Sequence, residues 1–161
     1  MCSTKPRKSI KRNSRARSGQ AFVELCAALI ILVPIMLTML DCGFIFLGAS
    51  LNDFICRDAA RAAASGPPSV LTPGAPNQRA LTVIHKVYFS NLPMKVRDAI
   101  DLTESINDVP PASMGGGVDG QMSVATTIDI YPPFLVSYLG NGKVVLTSRH
   151  TVPITYVRPA S

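Results

Sequence analysis

The stretch from Gly19 to Ser65 constrains this chain more than any other. It runs to Gly66-Pro67-Pro68 without a paired glycine–proline break, and its first part, Ala21 to Leu40, is twenty residues with one charge, Glu24. A helix of twenty residues rises about 30 Å, the thickness of a bilayer's hydrocarbon core. Leu25 to Leu40 alone gives sixteen uncharged residues, and Cys42 to Leu51 extends the run with Asp41 between. The expected membrane segment is therefore about 21–43, with Pro34 tolerated inside it as a local kink.

Beyond Asp41 the pattern becomes amphipathic. Leu47, Leu51, Phe54 and Ala62 fall near one face, while Ser50, Asp53, Arg57 and Arg61 fall on another. Asp53 and Arg57 stand at the i,i+4 spacing of a helical ion pair. Ala59, Ala60, Ala62, Ala63 and Ala64 are strong helix formers. The simplest expectation is one helix over 20–65, spanning a membrane in its first half and amphipathic in its second, stopped by Gly66-Pro67-Pro68.

Charge locates the partner. The formal net charge is +6, but Lys5, Arg7, Lys8, Lys11, Arg12, Arg15 and Arg17 all precede the first acid, Glu24. A basic leader set against an apolar run is read by a membrane through the positive-inside bias. With no base-stacking aromatics beside it, nucleic acid is not an expected partner. Residues 1–19 thus form a basic leader, and the orientation implied is an N-terminus in the cytoplasm.

The rest of the chain has room for one small domain. Residues 66–77 (GPPSVLTPGAPN) read as a turn-rich linker, and 78–161 as a small extracytoplasmic domain. A short helix is expected over 78–90, with Leu81, Ile84, Val87 and Tyr88 on its inner side. The segment 105–120, with Pro110-Pro111 and Gly115-Gly116-Gly117, reads as loop. Met122 to Ile130 alternates as a strand, Gly140-Asn141-Gly142 turns into Lys143 to Arg149, and Thr151 to Val157 continues past Pro153. The fold class predicted is α+β: a long N-terminal helix, then a short helix and a two- to three-stranded antiparallel sheet.

Chemistry is sparse. His85 and His150 are far apart and have no ligand-spaced companion. Met114 to Gly120 is glycine-rich but lacks the Lys-Ser/Thr of a phosphate loop. The four cysteines show no CxxC or Cys/His metal spacing. Cys42 and Cys56 lie about 21 Å apart along one helix and cannot bridge within the chain. Cys26 and Cys42 read as small buried hydrophobes, whereas Cys56 could also pair with another subunit. No enzymatic activity, metal or cofactor is expected.

The most specific text is Ser18-Gly19-Gln20-Ala21-Phe22-Val23-Glu24. It resembles the processing site of type IV prepilins and pseudopilins, in which a membrane peptidase cuts after the glycine. The resemblance implies a cut between Gly19 and Gln20. A residue without Cβ suits a bond that must enter a peptidase cleft in extended form. It also implies that Glu24, costly in lipid, is satisfied in assembly by the terminal ammonium of a neighbouring subunit. Ala21-Phe-Val-Glu24-Leu, then Leu-Asp41-Cys-Gly43, then Ala59-Ala-Arg61-Ala-Ala-Ala64 is similar to the TadE-like minor pseudopilins of the tight-adherence (Flp) pilus system. Leu25 and Phe44 stand where that family usually has an aromatic residue and an arginine.

The partners the resemblance implies are the bacterial inner membrane, a prepilin peptidase, other pilins or pseudopilins, and the pilus assembly platform. It implies a single-pass protein acting in pilus assembly, and so in surface attachment or secretion. Asp41 reads either as a carboxylate at headgroup depth or as a second subunit contact. Two other classes fit the composition: a single-pass anchored periplasmic protein that does not polymerise, and a secreted protein with a cleaved signal peptide. The apolar run exceeds the usual 7–15 residues of a signal peptide, and only Gly48-Ala49-Ser50 offers a cleavage site.

Overall fold

A computed structural model describes residues 14–86, 93–134 and 142–160, and their side chains from Gly19 onward. Most of the basic leader, Val87 and Tyr88 of the expected short helix, and Gly140-Asn141 of the expected turn lie outside the described residues. The α+β class holds. Helix α1 covers Ser14–Ala64 and helix α2 Ala75–Lys86; the strands are β1 Met94–Val96, β2 Asp101–Asp108, β3 Gly116–Gly117, β4 Asp119–Ile130, β5 Val144–Pro153 and β6 Val157–Arg158. The chain forms two compact units, one ending at Leu37 and one running from Thr38. The second half of α1 therefore belongs to the same compact unit as the sheet.

In the second unit the 12-residue β4 is the central strand. β5 pairs antiparallel along one side of it, from Gln121↔Pro153 to Ile130↔Val144. On its other side β1 and β2 lie end to end, β1 opposite Ile128–Ile130 and β2 opposite Asp119–Ala125. β3 and β6 form a separate two-stranded ribbon. The sheets are thus larger than the two or three strands expected. β2 lies in a segment whose second half, from Ser105, reads as loop. Its even positions, Leu102, Glu104 and Ile106, are half-buried and its odd ones exposed. A glutamate at an inward position broke the apolar alternation that marks a strand. Glu104 is satisfied there by the Ser69 backbone N–H (3.0 Å) and hydroxyl (2.7 Å).

The glycine-rich segment is likewise ordered pairing. Gly115 and Gly116 have φ of 65° and 131°, and a Cβ on Gly115 would stand 2.9 Å from the Ala160 nitrogen and the Arg158 carbonyl oxygen. Only glycine brings β3 that close to the chain around β6.

Helix α1 packs on the sheet by a face the apolar pattern did not indicate. Phe54 is 60% exposed and Leu47 43%, whereas Asn52, Ile55, Cys56, Ala59, Ala60, Ala63 and Ala64 are buried. Small side chains let the helix backbone approach the strands; Leu47 and Phe54 turn outward, while Leu51 and Ile55 remain packed on the core. A Cβ on Gly48 would stand 2.9 Å from Ile130 Cγ1. The main core joins Ile55 and the alanines of α1 to Ala80 and Ile84 of α2 and to Met122 and Val124 of β4. A smaller cluster gathers Met94, Ile128 and Ile130. Each fully buried Ile, Val or Met contributes about 1.5–3 kcal/mol.

Candidate functional site

In the first unit, α1 exposes apolar side chains all the way round. Phe22, Val23, Leu25, Ile30, Ile31, Met36 and others are half or more exposed. Among the described residues this is the one helix long and apolar enough to cross a membrane. A helix apolar on every face has no stable place in water unless lipid or other helices cover it.

Gly19, Gln20 and Glu24 all lie in this helix. The Gly19–Gln20 bond is thus helical, not extended, with Ser14 to Ser18 continuing the helix on its N-terminal side. Nothing lies within 4 Å of where a Cβ on Gly19 would stand. Glu24 is exposed and accepts a hydrogen bond at Oε1 from Gln20 Nε2, 3.1 Å away. The i,i+4 spacing that permits this contact is in the sequence, but the hydrogen bond itself is set by the side chains. It links the residue flanking the expected cut to the one carboxylate of the apolar run.

Asp41 stands elsewhere. It is fully buried in the second unit and accepts the Phe134 backbone N–H at 3.1 Å. Its carboxylate holds the segment after β4 against the start of that unit's helix. Sequence offered no signal for this, because residues 93 positions apart show no periodicity in common.

Two further polar groups sit between helix and sheet. Asn52 Nδ2 lies 3.3 Å from the carbonyl oxygens of both Thr126 and Leu146, and its Oδ1 accepts from Thr126 Oγ1 at 2.9 Å. One turn on, Cys56 Sγ is 3.2 Å from the carbonyls of Val124 and Ser148. Cys56 is therefore committed within the chain, out of reach of a second subunit. Each side chain bridges β4 and β5 by a spare carbonyl lone pair. No buried side-chain nitrogen or oxygen lacks a partner among the described residues.

Surface charges pair around this frame. Asp53 takes Arg57 at 2.8 Å and His150 Nε2 at 2.6 Å, and the hydrogen bond from His150 is the main reason its carboxyl is held below the usual range. Asp129 is held low first by the Arg97 hydrogen bond, then by the charges of Arg97, Lys143 and Lys95. Arg149 reaches across the small Ala125 to Asp101, 2.7 Å away, three residues in register on adjacent strands. Asp53 and Asp101 keep much of their surface in solvent, whereas Asp129 is buried among its partners. No group of three His, Cys, Asp or Glu placed to hold a metal ion occurs among the described residues.

The described residues thus present a helix long and apolar enough to cross a membrane, with the Glu24 carboxylate in its apolar part. No family model matches the sequence, and no curated protein or solved structure is similar to it.

Proposed function

We propose that this chain is a minor pseudopilin, cut by a prepilin peptidase and acting in the assembly of a tight-adherence (Flp-type) pilus. The observation that carries the reading is Glu24: a lone carboxylate on a helix apolar on every face, five residues past a glycine that closes a polybasic leader. Its hydrogen bond from Gln20 supplies only part of what an ionised carboxylate requires away from water. In this reading the rest comes from the terminal ammonium of a neighbouring subunit, which sets the register between helices. The protein would sit in a bacterial inner membrane with its leader in the cytoplasm and its sheet unit outside. Prepilin peptidase, other pilins and the assembly platform would be its partners, and Asp41, buried within its own unit, would be a weaker candidate for assembly than Glu24.

The mass of the membrane-extracted protein tests this. A mature terminus at Gln20 supports the pseudopilin reading. A terminus near residue 50 would indicate a signal peptide, and an intact Met1, in cells whose leader peptidase is active, a plain anchor. Glu24→Ala should leave insertion and cleavage intact while sharply reducing filament assembly; normal piliation in that variant refutes the role.

A further inference from the structure

The sheet of the second unit ends on β5 at one side and on β1 and β2 at the other. Its register says which backbone groups each edge presents. Thr127 O accepts the Arg97 N–H on the β1 side of β4, and Gly120 O accepts the Ile154 N–H on the β5 side. Backbone groups alternate in direction along a strand, so odd residues of β4 face β1 and β2 and even ones face β5. Paired residues share that parity: β5 turns its even residues to β4 and its odd ones away, and β2 does the reverse. The outward N–H and C=O groups are therefore those of Val145, Thr147, Arg149 and Thr151 on β5, and of Leu102, Glu104 and Ile106 on β2. Among the described residues no backbone group bonds to them. Pro153 is also odd, the position at which an edge strand tolerates a missing N–H. Open rows of this kind are templates for another strand.

The two edges differ in charge. β2 carries Asp101, Glu104 and Asp108 and no base, whereas β5 carries Arg149 and His150 and no acid. Glu104 and His150 are engaged on the inward side by Ser69 and Asp53, and Arg149 meets Asp101 over Ala125 on the exposed side. Joining β5 to β5 sets basic edges together, and joining β2 to β2 sets acidic ones together. Only β5 against β2 places opposite charges side by side. Both strands run antiparallel to β4, so they run parallel to each other. A second copy in the same orientation thus meets β5 with its β2. In a parallel pair a residue that bonds stands opposite one whose own groups point away. Odd residues of β5 then lie beside odd residues of β2, and in both strands these are on the exposed face.

We propose that β5 pairs with β2 of a second copy of this chain, Arg149 beside the partner's Asp101 and Thr151 beside the partner's Thr103. Each Arg149 then lies between two carboxylates, and the row Thr103, Ser123, Thr151 continues from copy to copy. In this register the partner's Lys95 and the partner's Arg97 come level with Val145 and Thr147, which carry no charge. The contact joins unlike edges and leaves one of each open, so it extends the sheet without closing. It concerns the second unit alone and does not depend on cleavage after Gly19 or on Glu24.

Full-length chains carrying Thr103→Cys are mixed in detergent with full-length chains carrying Thr151→Cys and mildly oxidised, and the linked peptides are read by mass spectrometry. The link between positions 103 and 151 should dominate those of 103 to 103 and 151 to 151. Equal amounts of the three, or no link between 103 and 151, overturn the pairing while leaving the pseudopilin reading standing. Adding Thr147→Pro to the Thr151→Cys chain removes one outward N–H and none that faces β4. The yield of the 103–151 link should then fall about five- to tenfold, the effect of one hydrogen bond lost between copies. An undiminished yield overturns the pairing, and the link in chains without the proline decides the matter if that variant does not fold.

Discussion

Asn52 occupies a helix position where a core would ordinarily take leucine. Its amide donates to the carbonyls of β4 and β5 and accepts from Thr126 Oγ1. Asn52→Asp preserves the shape but sets a carboxylate 3.3 Å from two carbonyl oxygens. We expect it to cost roughly 3 kcal/mol at neutral pH, more than Asn52→Ala. Burial and the facing oxygens would raise that carboxyl's pKa, so the loss should shrink as pH falls and the group protonates. Thermal unfolding at neutral and mildly acidic pH checks both points. The native carboxylates behave oppositely. Asp53 and Asp129 are held below the ordinary 3.8 by His150 and Arg97 respectively, so their contribution is complete above that value and lost as pH falls through the lower folded values. Asp53→Asn with Asp129→Asn should therefore lower stability at neutral pH and flatten the acid limb of unfolding followed by circular dichroism.

The end of α1 shows how an element is closed by residues that lie far from it in sequence. Its last carbonyls would be orphans. Arg61 O takes the Ser65 N–H, Ala62 O takes Arg79 Nε at 3.1 Å, Ala63 O takes Arg79 Nη2 at 2.6 Å, and Ala64 O takes the Thr155 N–H at 3.1 Å. Burial lowers the Arg79 pKa and the charge of Glu104 opposes that. Gly66 makes room, since a Cβ there would stand 2.7 Å from the guanidinium. Arg79→Lys keeps the charge but cannot span Ala62, Ala63 and Pro67 at once. We expect a loss of about 2 kcal/mol and faster amide exchange in the last turn of α1. The stop at Gly66-Pro67-Pro68 was legible in sequence, as were the apolar run, the α+β class and the strand over 122–130, because each rests on local pattern. The arginine cap was not, since nothing near Gly66 marks Arg79. The inward face of α1 was not legible either. Hydrophobicity selected Leu47 and Phe54, while close approach to the sheet selected Gly48, Asn52, Cys56 and alanine. At the candidate site, the coincidence of leader, Gly19 and Glu24 was visible from spacing, but the Gln20 hydrogen bond and the burial of Asp41 depend on where side chains meet.

At the scale of the whole molecule, the two units divide the labour. The second holds a four-stranded sheet with the end of α1 packed on it, while the first presents an apolar helix that none of the described residues covers. Under the proposed function the step that commits the chain is cleavage after Gly19, and there the structure adds a constraint. The bond lies within α1, so a peptidase needing an extended strand must first unwind the helix from Ser14 past Gln20. Glycine weakens a helix interior by about 1 kcal/mol relative to alanine, which keeps this opening cheap. Nothing crowds Gly19, so a methyl group there meets no obstacle within the chain. Gly19→Ala should then stabilise the closed helix and slow processing about fivefold, a factor equivalent to that propensity difference. Gly19→Val should block processing, because a branched side chain also obstructs the peptidase cleft. Conversion of precursor to mature mass in a pulse-chase experiment gives the rates. If Gly19→Ala blocks cleavage as completely as Gly19→Val, the glycine is required by the peptidase's shape alone. If instead both variants mature at the unaltered rate, the cut lies elsewhere and Glu24 loses the neighbouring ammonium that its assembly role requires.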